Sequence, residues 1–301
     1  MNNAISELAA IIVTYNRYDL LTECIEALRE QTFSDFDILV IDNASTDGTG
    51  EKLIDLVNQN IIQYFNTGSN IGGAGGFNYG IKIAYQLGYK YFWIMDDDTI
   101  PTSTSLYELI KAKKLLKDDF GFLCSNVMWR DGSICLQNGA KRSDNWEQCN
   151  YLDQGICPVD TATFVSFLVP RLIVEEVGLP IKEFFIWADD INYCIRISKI
   201  KQGYAVFRSK VVHKTPANID TNIVYDRTEK IPRYFYEYRN RFYIARTEHQ
   251  LPAYLWNSAK RIIRIIRSSK DHRLLRIKFL LKGLISGVTF NPKIEYIKGN
   301  E

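Results

Sequence analysis

The stretch YFWIMDDD, Tyr91 to Asp98, sets five apolar residues directly before three carboxylates. A continuous apolar run of that length reads as a buried strand of a parallel sheet. Three adjacent acids at its end repel one another and raise each other's pKa. A solvated acidic turn closed by Pro101 is the plain alternative. A hard divalent cation with oxygen ligands would remove the repulsion, which suits Mg²⁺ or Mn²⁺.

Working outward, the segments before this strand alternate in type. LAAIIVTY, from Leu8, is apolar and β-branched like a second buried strand, and YDLLTECIEALREQT follows with Leu21, Cys24, Ile25 and Leu28 at helical spacing. FDILVIDNAS gives another strand, Thr46 to Val57 another helix started at Ser45 or Thr46, and IIQYFN a short third strand. NIGGAGGFNYG, Asn70 to Gly80, has five glycines in eleven residues and leads into a helix expected to begin near Gly76 or Phe77. This rhythm predicts an α/β fold: a mostly parallel sheet flanked by helices on both faces.

Such sheets bind ligands beyond the carboxyl ends of their strands. Here those ends are Thr14-Tyr15-Asn16, Asp42-Asn43, Asn66 to Asn70 and Asp96-Asp97-Asp98. One Asp after a strand is an ordinary cap or turn; four polar ends on one edge point to a ligand-lined edge. FFIWADDINYCIR repeats the pattern, with Asp189-Asp190 at the predicted start of a helix, where the dipole favours their ionised forms. Bulky residues before the pair imply a partly desolvated cleft, in which a carboxylate can serve as a general base. His213 ends a further β-branched run, and neutral imidazole is a good Mn²⁺ ligand.

The 301 residues, 46% hydrophobic and 24% charged, suffice for one large domain or a catalytic domain with an appendage. The net charge of +2 neither requires nor excludes an anionic partner. Six scattered cysteines without an export signal are expected to be reduced thiols in the cytosol. No apolar run approaches the ~18 to 20 residues of a spanning helix.

As a set and in this order, VTYNR, VIDNASTDGT, MDDD, the Asp-Asp pair six residues before Arg196, and VVH resemble the family-2 inverting glycosyltransferases of GT-A fold. The resemblance covers roughly residues 8 to 215. It implies a nucleotide-diphospho-sugar donor, with Thr14, Tyr15, Asn16, Asp42, Asn70 and Asp97 lining the nucleotide pocket and Asp42 bonding a uracil or thymine base. It also implies metal binding by Asp98, Asp96 and His213, and Asp190 as base, with Asp189 where the family usually has Glu. The glycine stretch, through Gly73, Gly76 and Phe77, and Trp187 would face the donor sugar and diphosphate. Many members carry Arg where Phe77 stands. GGAGGF and Trp187-Ala188-Asp189-Asp190 are similar to the galactofuranosyltransferase branch, with rhamnosyl and galactopyranosyl transfer as the alternatives.

The expected organisation is a catalytic unit over 1–215 (a nucleotide half over 1–100, an acceptor half over 101–215) and a basic helical segment over 216–301. Within KRIIRIIRSSKDHRLLRIKFLLKG, Ala259, Ile262, Ile263 and Ile266 share one helical face and Lys260, Arg264 and Arg267 another. Such a helix suits an anionic membrane surface through residues 260–282, or packs on the domain with a solvated basic face. The first suits a peripheral enzyme with a glycan or polyprenol-linked acceptor in polysaccharide synthesis; no nucleic-acid motif accompanies the charge. A nucleotidyltransferase would want a phosphate loop after the first strand, which TYNRYD is not. A non-catalytic sugar-nucleotide module would have little use for Asp98, Asp190 and His213 together.

Overall fold

A computed structural model describes residues 6–297. The first half alternates as β1 (Leu8–Thr14), α1 (Tyr18–Arg29), β2 (Asp37–Asp42), α2 (Thr49–Lys52), α3 (Ile54–Asn58), β3 (Gln63–Asn66), α4 (Gly72–Gln86) and β4 (Tyr91–Asp96). These strands are parallel in the order β3-β2-β1-β4. Along β1, Ala9, Ile11 and Val13 face one core layer while Leu8, Ala10 and Ile12 face the other. Burial on both faces is why the strand reads as an unbroken apolar run. Each fully buried isoleucine contributes about 1.5–3 kcal/mol.

The second half comprises β5 (Thr99–Pro101), α5 (Ser105–Leu115), β6 (Phe122–Met128), β7 (Lys141–Arg142), β8 (Ile156–Thr161), β9 (Phe167–Pro170), α6 (Arg171–Val177), α7 (Asp189–Ser198) and β10 (Gly203–His213). The sheet continues from β4 as β9-β6-β10-β8-β7, with β5 also paired to β10. Only β6 and β10 run parallel in this half. The parallel expectation therefore describes the nucleotide half, and the whole sheet is mixed. A register shift between Val206 and Lys210 lets β10 pair with β8 along its first part and with β5 at its end.

Two differences from the expected elements have local causes. The single helix over Thr46–Val57 is two short ones, broken at the buried Leu53. Helix α4 begins at Gly72, not at Gly76 or Phe77, with Asn70 Oδ1 accepting from the Gly72 N–H at 2.9 Å. The C-terminal helices α8 (Tyr234–Thr247), α9 (Leu251–Ser268) and α10 (Arg273–Thr289) fold back onto the α/β unit, one of the two arrangements expected for this segment. Among the described residues no helix is long and apolar enough to cross a membrane.

The glycines of α4 set how closely it lies on the sheet. A Cβ on Gly76 would stand 2.5 Å from Val13 Cγ1 in β1, whereas one on Gly73 meets nothing within 4 Å. We expect G76A to destabilise the fold by about 1–3 kcal/mol and G73A to be neutral or stabilising by up to about 1 kcal/mol. Denaturant unfolding of the two variants checks the contrast, and equal stability would refute the packing role of Gly76.

Candidate active site

The acidic triplet lies in the sharp connection from β4 to β5. Because β5 pairs antiparallel with β10, His213 sits opposite Thr99, one residue past Asp98. Single ligand atoms of Asp96, Asp98 and His213 fall within 4.8 Å of one another. His213 Nε2 lies 2.9 Å from Asp98 Oδ1, yet that buried oxygen has no aligned hydrogen bond. The other ring nitrogen, Nδ1, is 2.7 Å from Asn138 Oδ1, which orients the ring. Two carboxylates and an imidazole, with the buried Asp98 Oδ1 close to His213 Nε2 but in no aligned hydrogen bond, fit a divalent cation by donor type and spacing.

Two cations of the chain already balance these acids. Arg17, in the loop after β1, reaches Asp97 Oδ1 at 3.2 Å and Asp98 Oδ2 at 2.9 Å. Burial pushes Asp96 up to about 7, and Asp98 adds to the effect. Burial also lifts Asp97 to about 6, against the pull of Arg17. Asp98 behaves oppositely: burial raises it, but His213 and Arg17 outweigh burial and hold it below its ordinary value. Burial disfavours charge on His213, yet Asp98 lifts it to about 10. Arg17 follows TYN in the sequence, but its contact with the triplet depends on the conformation of the loop after β1.

The residues expected at the nucleotide lie in the segments that follow β1 to β4. Thr14 is buried and donates to Asp97 Oδ2 at 2.8 Å. Asn16, at φ 54°, accepts from the Thr46 N–H and receives Ser45 Oγ on its own N–H, tying two strand-end loops together. Tyr15 and Asn70 are exposed on the rim. Asp42 is only 1% exposed, and its two oxygens accept from the Ser45 N–H and the Tyr64 hydroxyl. Contact between Asp42 and a base would therefore need Tyr64 to yield its oxygen.

Two residues expected at the donor sugar, Phe77 and Gly76, are packed in the core, and Trp187 is half-buried beside the acid pair. Phe77 is 3% exposed, in the core against Phe164 at 4.9 Å between ring centroids, so it is a packing residue. Gly76 is pressed on Val13 and cannot meet a ligand. Trp187 is half-buried against Tyr234, with ring centroids 5.1 Å apart. Gly73 keeps open space beside it at the first turn of α4.

The acid pair occupies the first turn of α7, as its pattern predicts. Burial drives Asp189 well above its ordinary value, Asp190 adds to this, and the field of Asp96 reaches it. Burial lifts Asp190 to about 6 against its bond from the Ile191 N–H and the charge of Arg241; Glu237 opposes that charge. Both Arg241 and Glu237 lie on α8 and were invisible in the sequence, because only the folding back of that helix brings them near. The approach to the pair is strained. Phe185, at φ 65° and ψ −57°, centres a γ-turn of the rarer hand, with Ile186 N–H bonded to Phe184 O at 2.7 Å. Trp187 and Ala188 follow at φ 68° and 64°. Each such non-glycine residue costs about 1–3 kcal/mol.

Known proteins are similar to this chain in sequence or in fold. GlfT1, a galactofuranosyltransferase of Mycolicibacterium smegmatis, is 32% identical over 99 residues, covering 32% of each chain. GlfT1 of Mycobacterium tuberculosis is 36% identical over 92 residues, 30% of this chain and 29% of that one. The chain thus spans about a third of the length of these relatives. Agl10, a low-salt glycan biosynthesis hexosyltransferase of Haloferax volcanii, is 21% identical over 97% of this chain and 88% of its own. In fold, GalNAc-T7 solved with UDP, GalNAc and Mn²⁺ superposes with a TM-score of 0.59 at 14% identity, over 71% of this chain and 45% of that one. The mannosyltransferase PcManGT of Pyrobaculum calidifontis, solved with GDP-Man and Mn²⁺, gives 0.57 at 14% identity, over 95% and 88%. Residues 9–168 match the family described as Glycosyl transferase family 2; that span is more than half of the 301 residues, and the chain belongs to this family.

Proposed function

We propose that the protein is an inverting glycosyltransferase that moves a hexosyl group from a nucleotide-diphospho sugar to an acceptor hydroxyl by single displacement. The carrying observation is the convergence of Asp96, Asp98 and His213 at the sheet edge, with Asp189 close enough to feel the charge of Asp96. Asp96, Asp98 and His213 would hold Mn²⁺ or Mg²⁺, imidazole favouring Mn²⁺, and the bound ion would act as a Lewis acid on the leaving diphosphate. Thr14, Tyr15, Asn16, Asn70 and Asp97 form the nucleotide wall, with Asp42 behind them. Gly73 is the glycine of the stretch left free to face the donor.

Asp190 is the base. It removes the acceptor proton as that oxygen attacks the anomeric carbon from the face opposite the diphosphate, so configuration inverts. A carboxyl lifted to about 6 is ionised at neutral pH and more basic than an ordinary carboxylate. Asp189, held higher by burial and facing the triplet, is a supporting acid.

For the sugar we favour galactofuranose from UDP-galactofuranose; the two GlfT1 relatives support it. Rhamnose from dTDP-rhamnose and galactopyranose are the competing donors. The acceptor is a glycan or a polyprenol-linked sugar. A cavity of about 560 Å³ between α8 and α10, lined by Phe235, Tyr236, Phe279, Ile285 and Lys282, supports a lipid-linked one.

Peripheral attachment at the inner face of the cell membrane accompanies this acceptor. Ile265 and Ser258 form the packed side of α9, leaving Trp256, Ile263 and Ile266 exposed at 64%, 49% and 52% beside Lys260, Arg264 and Arg267. An apolar strip flanked by cations suits an anionic bilayer surface. Arg276 does not belong to that surface: it is 1% exposed and bonds the Ile223 and Asp226 carbonyls.

Replacing Asp190 with Asn should lower kcat by about 10²- to 10⁴-fold and spare UDP binding; near-normal turnover would end the assignment. Asp98→Asn should weaken Mn²⁺-dependent UDP binding by at least about 10-fold, read by titration calorimetry. Because the Asp190 carboxyl must be ionised to accept a proton, kcat should be on its plateau above about 6 and fall as pH drops through that value. A flat profile from pH 5 to 8 would contradict this. The combined variant W256S/I263S/I266S should lose binding to phosphatidylglycerol vesicles in a sedimentation assay while staying folded, and retained binding would remove the membrane face.

A further inference from the structure

The strained approach to the acid pair is held from outside by one side chain. Asn240 of α8 is completely buried. Its Nδ2 lies 2.9 Å from Phe184 O, 3.1 Å from Ile186 O and 2.8 Å from Trp187 O. Those carbonyls belong to the γ-turn and the left-handed residues after it. The amide orientation is fixed by its other end, since Oδ1 accepts from Arg239 Nε at 3.0 Å and Nη2 at 2.9 Å. Arg239 also donates to the Glu183 and Phe184 carbonyls.

The remaining carbonyl of the turn is held from the opposite side. Phe185 O accepts from the Ala74 N–H at 3.2 Å, in the first turn of α4. Gly72, at φ 75°, passes so close that a Cβ there would stand 2.1 Å from Phe185 O. Aromatic contacts complete the clasp: Phe185 stacks on Tyr236 at 4.9 Å, and Trp187 leans on Tyr234. Backbone this strained persists only where its surroundings over-determine it. The surroundings here are the start of α4 and one face of α8.

We propose that Asn240 is a positioning residue of the transfer reaction. Resting on the transferase function proposed above, it locks the 184–188 turn so that Asp189 and Asp190 enter the site at the N-terminus of α7. It touches neither donor nor acceptor and acts through the backbone carbonyls it binds. Arg239 sets its orientation, and the glycine-rich start of α4 is the opposing jaw.

The full chain carrying N240A, N240D or N240S tests this. N240D keeps the shape and removes the N–H donors; N240S keeps one donor. We expect N240A and N240D to lose at least about 10-fold in kcat, the scale on which a small misplacement of reacting groups acts, with the UDP–Mn²⁺ dissociation constant within about 3-fold of wild type. N240S should recover part of the loss. Hydrogen exchange at the amides of residues 185–189 should quicken in N240A, a readout independent of turnover. Unchanged exchange, wild-type kcat in N240A and N240D, or kcat and UDP binding falling by one common factor would overturn the positioning role. A wild-type chain that neither binds UDP nor transfers a hexosyl group would instead overturn the transferase function.

Discussion

Three consecutive carboxylates at the end of one strand, Asp97 and Asp98 buried and Asp96 half-buried, are the constraint to which the rest of this molecule answers. Unpaired, each would have to take a proton or leave the interior. Their compensation comes from sequence positions far apart: Arg17 from the loop after β1, and His213 from the end of β10. Both arrivals depend on register. Parallel pairing of β1 with β4 sets Val13 beside Asp96, and antiparallel pairing of β5 with β10 sets His213 beside Thr99. The bulge in β10 is what lets one strand serve its neighbours and still end at the acids.

The acid pair on α7 answers the same constraint from across the cleft. Asp189 is near enough to Asp96 for their charges to interact, whereas Asp190 answers to Arg241 and Glu237. Neighbouring carboxyls thus acquire different proton affinities because they meet different partners. Burial raises both, and their unlike neighbours separate them.

The parallel half was legible in the sequence because strands buried on both faces leave no polar residues to blur them, and their ends expose the acids together. His213 was legible for a similar reason, as the polar end of a β-branched run. The start of α4 was not, since five glycines read locally as a loop; only Asn70 below and Phe185 alongside make Gly72 the first helical residue. Phe77 lies next to suggestive residues but is a core packing contact, a matter decided by tertiary neighbours. Arg276 sits in a run of surface cations and is buried, which charge pattern alone cannot reveal.

The grip of α8 on the 184–188 turn changes what counts as the heritable unit of this enzyme. The family match ends at residue 168, well before Asn240, and the acid pair falls between the two. The turn that carries the acid pair is thus built by contacts from beyond residue 215 as well as from within the first 215 residues. A recombinant that exchanged the last helices with those of a relative would carry its acids on a turn shaped for a different clasp. Divergence in α8 therefore bears on the shape of the 184–188 turn without changing any residue of the turn itself.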